Sequence, residues 1–305
     1  MIAAAVMPLF LGHVEIAAND VSGQTSFLSW FDHSISQFKS GSTFFFNVTM
    51  LALLLLEAFL LNRIVAEFKL VEKSGFLPGF GFLLLNLLAP TVISAKLLLT
   101  NGLILMALKL LIGTYKVERP NNGILVTGFM LGFINAIDSR YFLMFVWLIS
   151  ALLIMRPASL REIILAIIGY TLPFYFIGAF LYLTDGFSTG RIMAFFDLNF
   201  NLPKNSGLDW ARTILMVMLP WLGFVSSSNR ISKLLIQGRK SILITLSLLL
   251  AMHIILTLDM ADLSGNLQSA LVPSALMLTF FFTSFKKQFL PNLLILLMAI
   301  LSCVR

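Results

Sequence analysis

The feature that most constrains this chain is a repeated pattern of long apolar runs, roughly 15 to 24 residues each, broken only by short polar links. A bilayer core of about 30 Å takes roughly 20 apolar residues per crossing helix, fewer where neighbours shield the helix. By that measure about eleven runs qualify: 2–18, 42–65, 75–91, 97–114, 123–137, 141–155, 162–183, 213–226, 241–258, 267–282 and 289–303. None alternates apolar and polar residues as a barrel strand would, and backbone in lipid must satisfy its own hydrogen bonds. The expected fold is all-α, a polytopic transmembrane helical bundle of about 11 spans, with residues 1–305 forming one membrane domain.

Composition excludes the alternatives. Only 11% of residues are charged and 59% are hydrophobic, with a mean hydropathy of +0.95, whereas a soluble domain carries about a quarter charged residues. A soluble enzyme is excluded, and so is a disordered chain, because 29 phenylalanines supply too much apolar surface. The net charge of +7 does not imply nucleic acid as a partner, because the basic residues cluster between apolar runs. A lone Cys303 leaves no intramolecular disulfide and no multi-cysteine metal site.

Charge placement sets the orientation. With residue 1 inside, about 13 of the 21 lysines and arginines fall in alternate short loops: Arg63, Lys69, Lys73; Lys116, Arg119; Arg156, Arg161; Arg230, Lys233, Arg239, Lys240; Lys286, Lys287. Those loops are the cytoplasmic ones under the positive-inside rule. All the aspartates then lie on the outer side: Asp20, Asp32, Asp138, Asp185, Asp197, Asp209, Asp259 and Asp262. The expected location is the bacterial inner (cytoplasmic) membrane, with membrane lipids as the first partners. The first run is short, with no basic residue before it. It fits a partly inserted helix or a start further upstream, and a cleaved signal peptide is not expected, since no A-x-A site is suitably placed. Two outer segments read as half-immersed: 19–41, in which Phe27, Trp30, Phe31, Ile35 and Phe38 recur on one helical face, and 184–212, with Phe195, Phe196 and Phe200.

No phosphate-cradling G-x-x-x-x-G-K-[ST] and no H-E-x-x-H zinc motif occurs. No cofactor and no metal is expected, and three histidines, His13, His33 and His253, are too few for a four-histidine iron centre. Glu57 lies mid-span, where a carboxylate is costly and marks a proton or ion site by default; the simpler expectation is pairing with a neighbouring helix or with Arg63. For His253 a hydrogen bond across helices is expected ahead of a proton relay. Pro90, Pro173, Pro220 and Pro273 are expected to interrupt their spans. The outer turn Asn135-Ala-Ile-Asp138-Ser-Arg140-Tyr141 sets a carboxylate beside a guanidinium, and Arg191 and Arg212 share the next outer loop with Asp197 and Asp209. Arginine matches phosphate bidentately and an aspartate can act as general base on a hydroxyl, the needs of transfer from a lipid-linked sugar.

Two stretches carry a resemblance. Leu53 to Val65 with Ser74-Gly-Phe-Leu-Pro78, and Tyr141 to Pro173, resemble a Bacteroidetes family of uncharacterised multi-span inner-membrane proteins. In that family an R-P-x-x-x-R-E turn, here Arg156 to Glu162, joins two helices, and the second helix carries G-x-x-x-P, here Gly169 to Pro173. The match spans roughly Asn47 to Asp185. Gly128 to Met155 is also faintly similar to the C-type, polyprenol-dependent glycosyltransferases. That similarity implies a catalytic aspartate in the first outer loop, Asp20 or Asp32 here with Glu15 between them in preference, and a polyprenyl-phosphate-linked sugar as substrate. Lipid-phosphate or substrate binding would fall to Asp138, Arg140, Arg191 and Arg212. Two other classes remain open: a non-enzymatic scaffold or accessory subunit bound to other envelope proteins, and a transporter or lipid flippase using a midplane site near Glu57.

Overall fold

The computed structural model describes residues 43–71, 75–89, 95–115, 117, 120–155, 159–183, 207–231, 234–258, 270–284 and 295, 296 and 298. Among them every regular element is helical. The helices are α1 (Thr43–Glu67), α2 (Leu77–Leu88), α3 (Ala95–Gly113), α4 (Asn121–Ile137), α5 (Leu143–Met155), α6 (Leu160–Leu183), α7 (Gly207–Ile231), α8 (Ile236–Leu258) and α9 (Leu271–Ser284), with a 3₁₀ turn, Ser139–Phe142, leading into α5. Each falls on one of the apolar runs. The runs at 2–18 and 289–303 lie outside the described residues, apart from 295, 296 and 298.

The expected count of about 11 spans is not supported. Among the described residues four helices are long and apolar enough to cross a membrane: Phe44–Glu67, Ala95–Gly113, Leu160–Leu183 and Ile236–Leu256. The apolar parts of the others, such as Arg212–Ser228 within α7, have 10–17 residues. At 1.5 Å per residue even 17 residues reach only about 26 Å, short of the hydrocarbon thickness. A ruler that counts apolar residues also counts those that lie in turns, and so overstates helix length.

Helix ends follow local chemistry. Pro78 stands in the first turn of α2, where the missing N–H costs nothing, and the Gly79 N–H donates instead to Asn62 Oδ1 of α1 at 2.8 Å. Pro273 likewise falls in the first turn of α9 and starts that helix, so it does not interrupt a span as expected. Pro173 and Pro220 do lie inside α6 and α7, and Pro90 is outside the described residues. At the start of α6 the Ser159 N–H donates to Glu162 Oε2 at 3.2 Å and the Glu162 N–H to Ser159 Oγ at 3.4 Å, a reciprocal capping box. The R-P-x-x-x-R-E turn is thus, at its serine and glutamate, a helix-start signal.

Contacts fix how the helices run. Glu57 and Glu67 of α1 meet Gly102 and Lys109 of α3 in the same order, so α1 and α3 are parallel. Thr114, just past the end of α3, lies near Gly123 and Lys96 at its start acts on Asp138, so α3 and α4 are antiparallel. Gly128 packs on Ala166 and Gly132 on Tyr170, which makes α4 and α6 parallel. Trp147 Nε1 donates to the Ile244 carbonyl at 3.2 Å and Lys240 Nζ to the Met155 carbonyl at 2.5 Å, so α5 and α8 are antiparallel. These are the directions of a chain that traverses one slab back and forth. α4 and α6 pack most extensively, α7 and α9 next. α6 nonetheless buries only 22% of its most apolar stretch, so it lies at the periphery.

Candidate functional site

At the end of the bundle where α4 stops, the chain turns through Asp138. Its side chain caps the 3₁₀ turn by accepting the Arg140 N–H at 3.1 Å, an Asx-type contact that local sequence favours. The Arg140 guanidinium folds back on the same carboxylate: Nε lies 2.9 Å from Oδ1 and 3.0 Å from Oδ2, and Nη2 lies 2.5 Å from Oδ2. Both side chains are largely buried, at 9% and 12% exposure. Burial alone would raise the Asp138 carboxyl, but the hydrogen bond and charge of Arg140, the charge of Lys96 and the backbone contact outweigh it, and the group sits below the usual carboxylate range. Asp138 is therefore an anion that holds an arginine in place; both its oxygens are engaged, so it is poorly suited to act as a base.

Lys96, at the start of α3, is the residue that sequence reasoning missed here. Its signal was available: a lysine on the side that the positive-inside pattern leaves poor in basic residues. With Lys96 the cluster holds two cations and one anion. One turn deeper on α4, Asn135 Nδ2 donates to Tyr170 Oη of α6 at 2.8 Å, while Asn135 Oδ1 has no hydrogen-bond partner among the described residues. Tyr170 is in turn flanked by the rings of Phe145 and Phe174.

Arg212 is buried near the start of α7. Asp20, Asp32 and Arg191 lie outside the described residues, as do Glu15 and Asp197; Asp209 is placed only as part of α7. Among the described residues His253 makes no hydrogen bond across helices: its Nδ1 donates to the Leu249 carbonyl of its own helix at 2.7 Å, and its ring meets Trp221 of α7 edge-on. The contact leaves the second nitrogen as the acceptor of the neutral ring.

Glu57 meets the neighbouring helix α3 through the backbone of Gly102 and forms no pair with Arg63. It is 4% exposed, its Oε1 stands beside Gly102 of α3, and its Oε2 has no hydrogen-bond partner among the described residues. Arg63 is exposed and no ion pair joins the two. Six residues turn a helix through about 600°, which leaves Arg63 some 120° round the surface from Glu57. Lys109, an ionisable group within α3, pairs with Glu67 at 3.2 Å.

No group of three or more histidine, cysteine, aspartate or glutamate side chains suited to a metal occurs among the described residues. Comparison with known protein families, curated proteins and solved structures returns no match.

Proposed function

We propose that the chain is a multi-span inner-membrane protein, of a glycosyltransferase C-like or polymerase-like kind, that acts on a lipid-linked glycan at the outer leaflet. The observation that carries this proposal is the cluster of half-buried Lys96 and Arg140 around buried Asp138, whose two cations and one anion leave a positive charge at one end of the bundle. Such a site favours a phosphate: Arg140 is pre-oriented by Asp138, and Lys96 adds a point charge. Arg191 and Arg212 supply further phosphate contacts. Asp20 or Asp32 takes the proton of the acceptor hydroxyl; its oxygen bonds to the anomeric carbon as the bond from that carbon to the lipid phosphate breaks, and the phosphate leaves with the electron pair. The proposal includes about eleven crossings, the five shorter helices spanning where neighbours shield them, with the Asp138 end outside.

The test is retention of lipid by the purified full chain, using polyprenyl phosphate and the uncharged polyprenol as probes. The phosphate is expected to be held and the alcohol not. Lys96→Gln removes one charge-assisted contact of about 1.5–3 kcal/mol, hence roughly 10- to 100-fold in affinity. Equal retention of both probes, or no effect of Lys96→Gln, refutes the phosphate site. In cells, Asp20→Ala and Asp32→Ala are expected to deplete surface glycan at unchanged protein level. Normal glycan in both, with phosphate still retained, favours the accessory-subunit reading.

A further inference from the structure

The lipid-phosphate site makes no use of Glu57, a carboxyl buried in the middle of a span. It faces a seam between α1 and α3, where it takes a hydrogen bond from the Gly102 backbone and an added Cβ at Gly102 would stand in ordinary contact, 3.5 Å from Glu57 Oε1. Among the described residues the surroundings carry no charge to balance an anion. On α1, Leu54, Ala58, Leu61 and Ile64 are buried around it. α2, also packed on α1, has no titratable residue in Leu77–Leu88. On α3 the charged groups are Lys96, which acts on Asp138, and Lys109, which pairs with Glu67. On α1 itself Arg63 points to the surface and Glu67 is taken by Lys109. A carboxylate held by no more than a backbone contact in such a place costs several kcal/mol even after relaxation. A bound metal cation would need several further oxygen ligands. A proton needs only the carboxyl itself.

We propose that Glu57 is an intramembrane proton-binding site, loaded in the resting protein, and that it releases and regains its proton through the α1–α3 seam. The seam has the parts for exchange. Gly102 brings its backbone, not a side chain, against the carboxyl. About 15 Å further along α1, at 1.5 Å per residue, the Glu67–Lys109 pair, with side chains 43% and 37% exposed, marks where the seam meets water. The proposal is independent of the lipid-phosphate site: it concerns a different pair of helices, and either can fail without the other.

The test uses the full chain in lipid vesicles and a lipophilic carbodiimide, dicyclohexylcarbodiimide. This reagent adds to a protonated carboxyl: the acid proton moves to a carbodiimide nitrogen and the carboxyl oxygen bonds to the central carbon. Peptide mapping by mass spectrometry is expected to find the adduct on Glu57, with a yield that falls by about tenfold per pH unit once the proton is being lost. A water-soluble carbodiimide is expected to modify Glu67 and spare Glu57. Glu57→Gln is expected to abolish the first adduct and leave the second. The wild-type map decides alone if that variant fails to fold. Glu57 unmodified at every pH, modified equally at every pH, or reached equally by the water-soluble reagent, overturns the proposal.

Discussion

Asp138 shows how one side chain serves both the turn and its electrostatics. Its ionised form is favoured in the folded protein, so it contributes stability above the carboxyl's unfolded value, and that contribution is lost as pH falls through the lower folded value. The protein in detergent is therefore expected to lose thermal stability on acidification below the ordinary carboxylate range. Asp138→Asn strands a buried guanidinium, at a cost of about 3–5 kcal/mol, and flattens that acid limb; a limb of unchanged depth in the variant would show that Asp138 is not its source. The sequence made the Asp138–Arg140 juxtaposition legible, because two residues of separation in a turn bring the groups together whatever the tertiary fold. Lys96 was not legible as its neighbour, since 42 positions separate it from Asp138 and only antiparallel packing of α3 and α4 joins them. For Glu57 the mid-span position could be read directly. The absence of a charged partner among the described residues could not, because it depends on what α2 and α3 present.

Helices were legible where they are long: hydropathy placed all nine described elements, and their ends moved by a few residues as caps and prolines set them. Which helix packs on which was not, because close approach depends on pairs of small residues in different segments. On α4, a Cβ at Gly132 would stand 2.1 Å from the Tyr170 carbonyl oxygen, and on α6 a Cβ at Gly169 would stand 2.4 Å from that of Leu125. Small residues let membrane helices approach this closely. Gly132→Val is expected to separate α4 from α6, lower the melting temperature and break the Asn135–Tyr170 bond, whereas Gly178→Ala on α6, with nothing within 4 Å, is expected to be silent. Melting curves of the two variants check this, and equal losses would refute the contact. Ser159→Ala, which removes half of the capping box, is expected to cost about 1 kcal/mol.

For the whole molecule, the pairwise directions assign residues to ends. Glu67, Tyr115, Met155 and Lys240 share one end, where Lys240 also sits 5.5 Å above the Tyr115 ring; Lys96, Asp138 and Arg140 share the other. In a variant lacking Cys303, single cysteines introduced at Lys116 and Pro203 are expected to be labelled from opposite sides, the first from the cytoplasm. Labelling of Lys116 from outside would turn the bundle over and place the phosphate site in the cytoplasm. The bond from Lys240 to the Met155 carbonyl joins groups 85 residues apart. It therefore also sets an order of assembly during synthesis. The last turn of α5 is made long before the lysine that closes it has been translated, and a ribosome stalled ahead of α8 leaves that carbonyl open. Nascent chains released before residue 240 are thus expected to be cleared by membrane quality-control proteases, and those released after α8 to be spared.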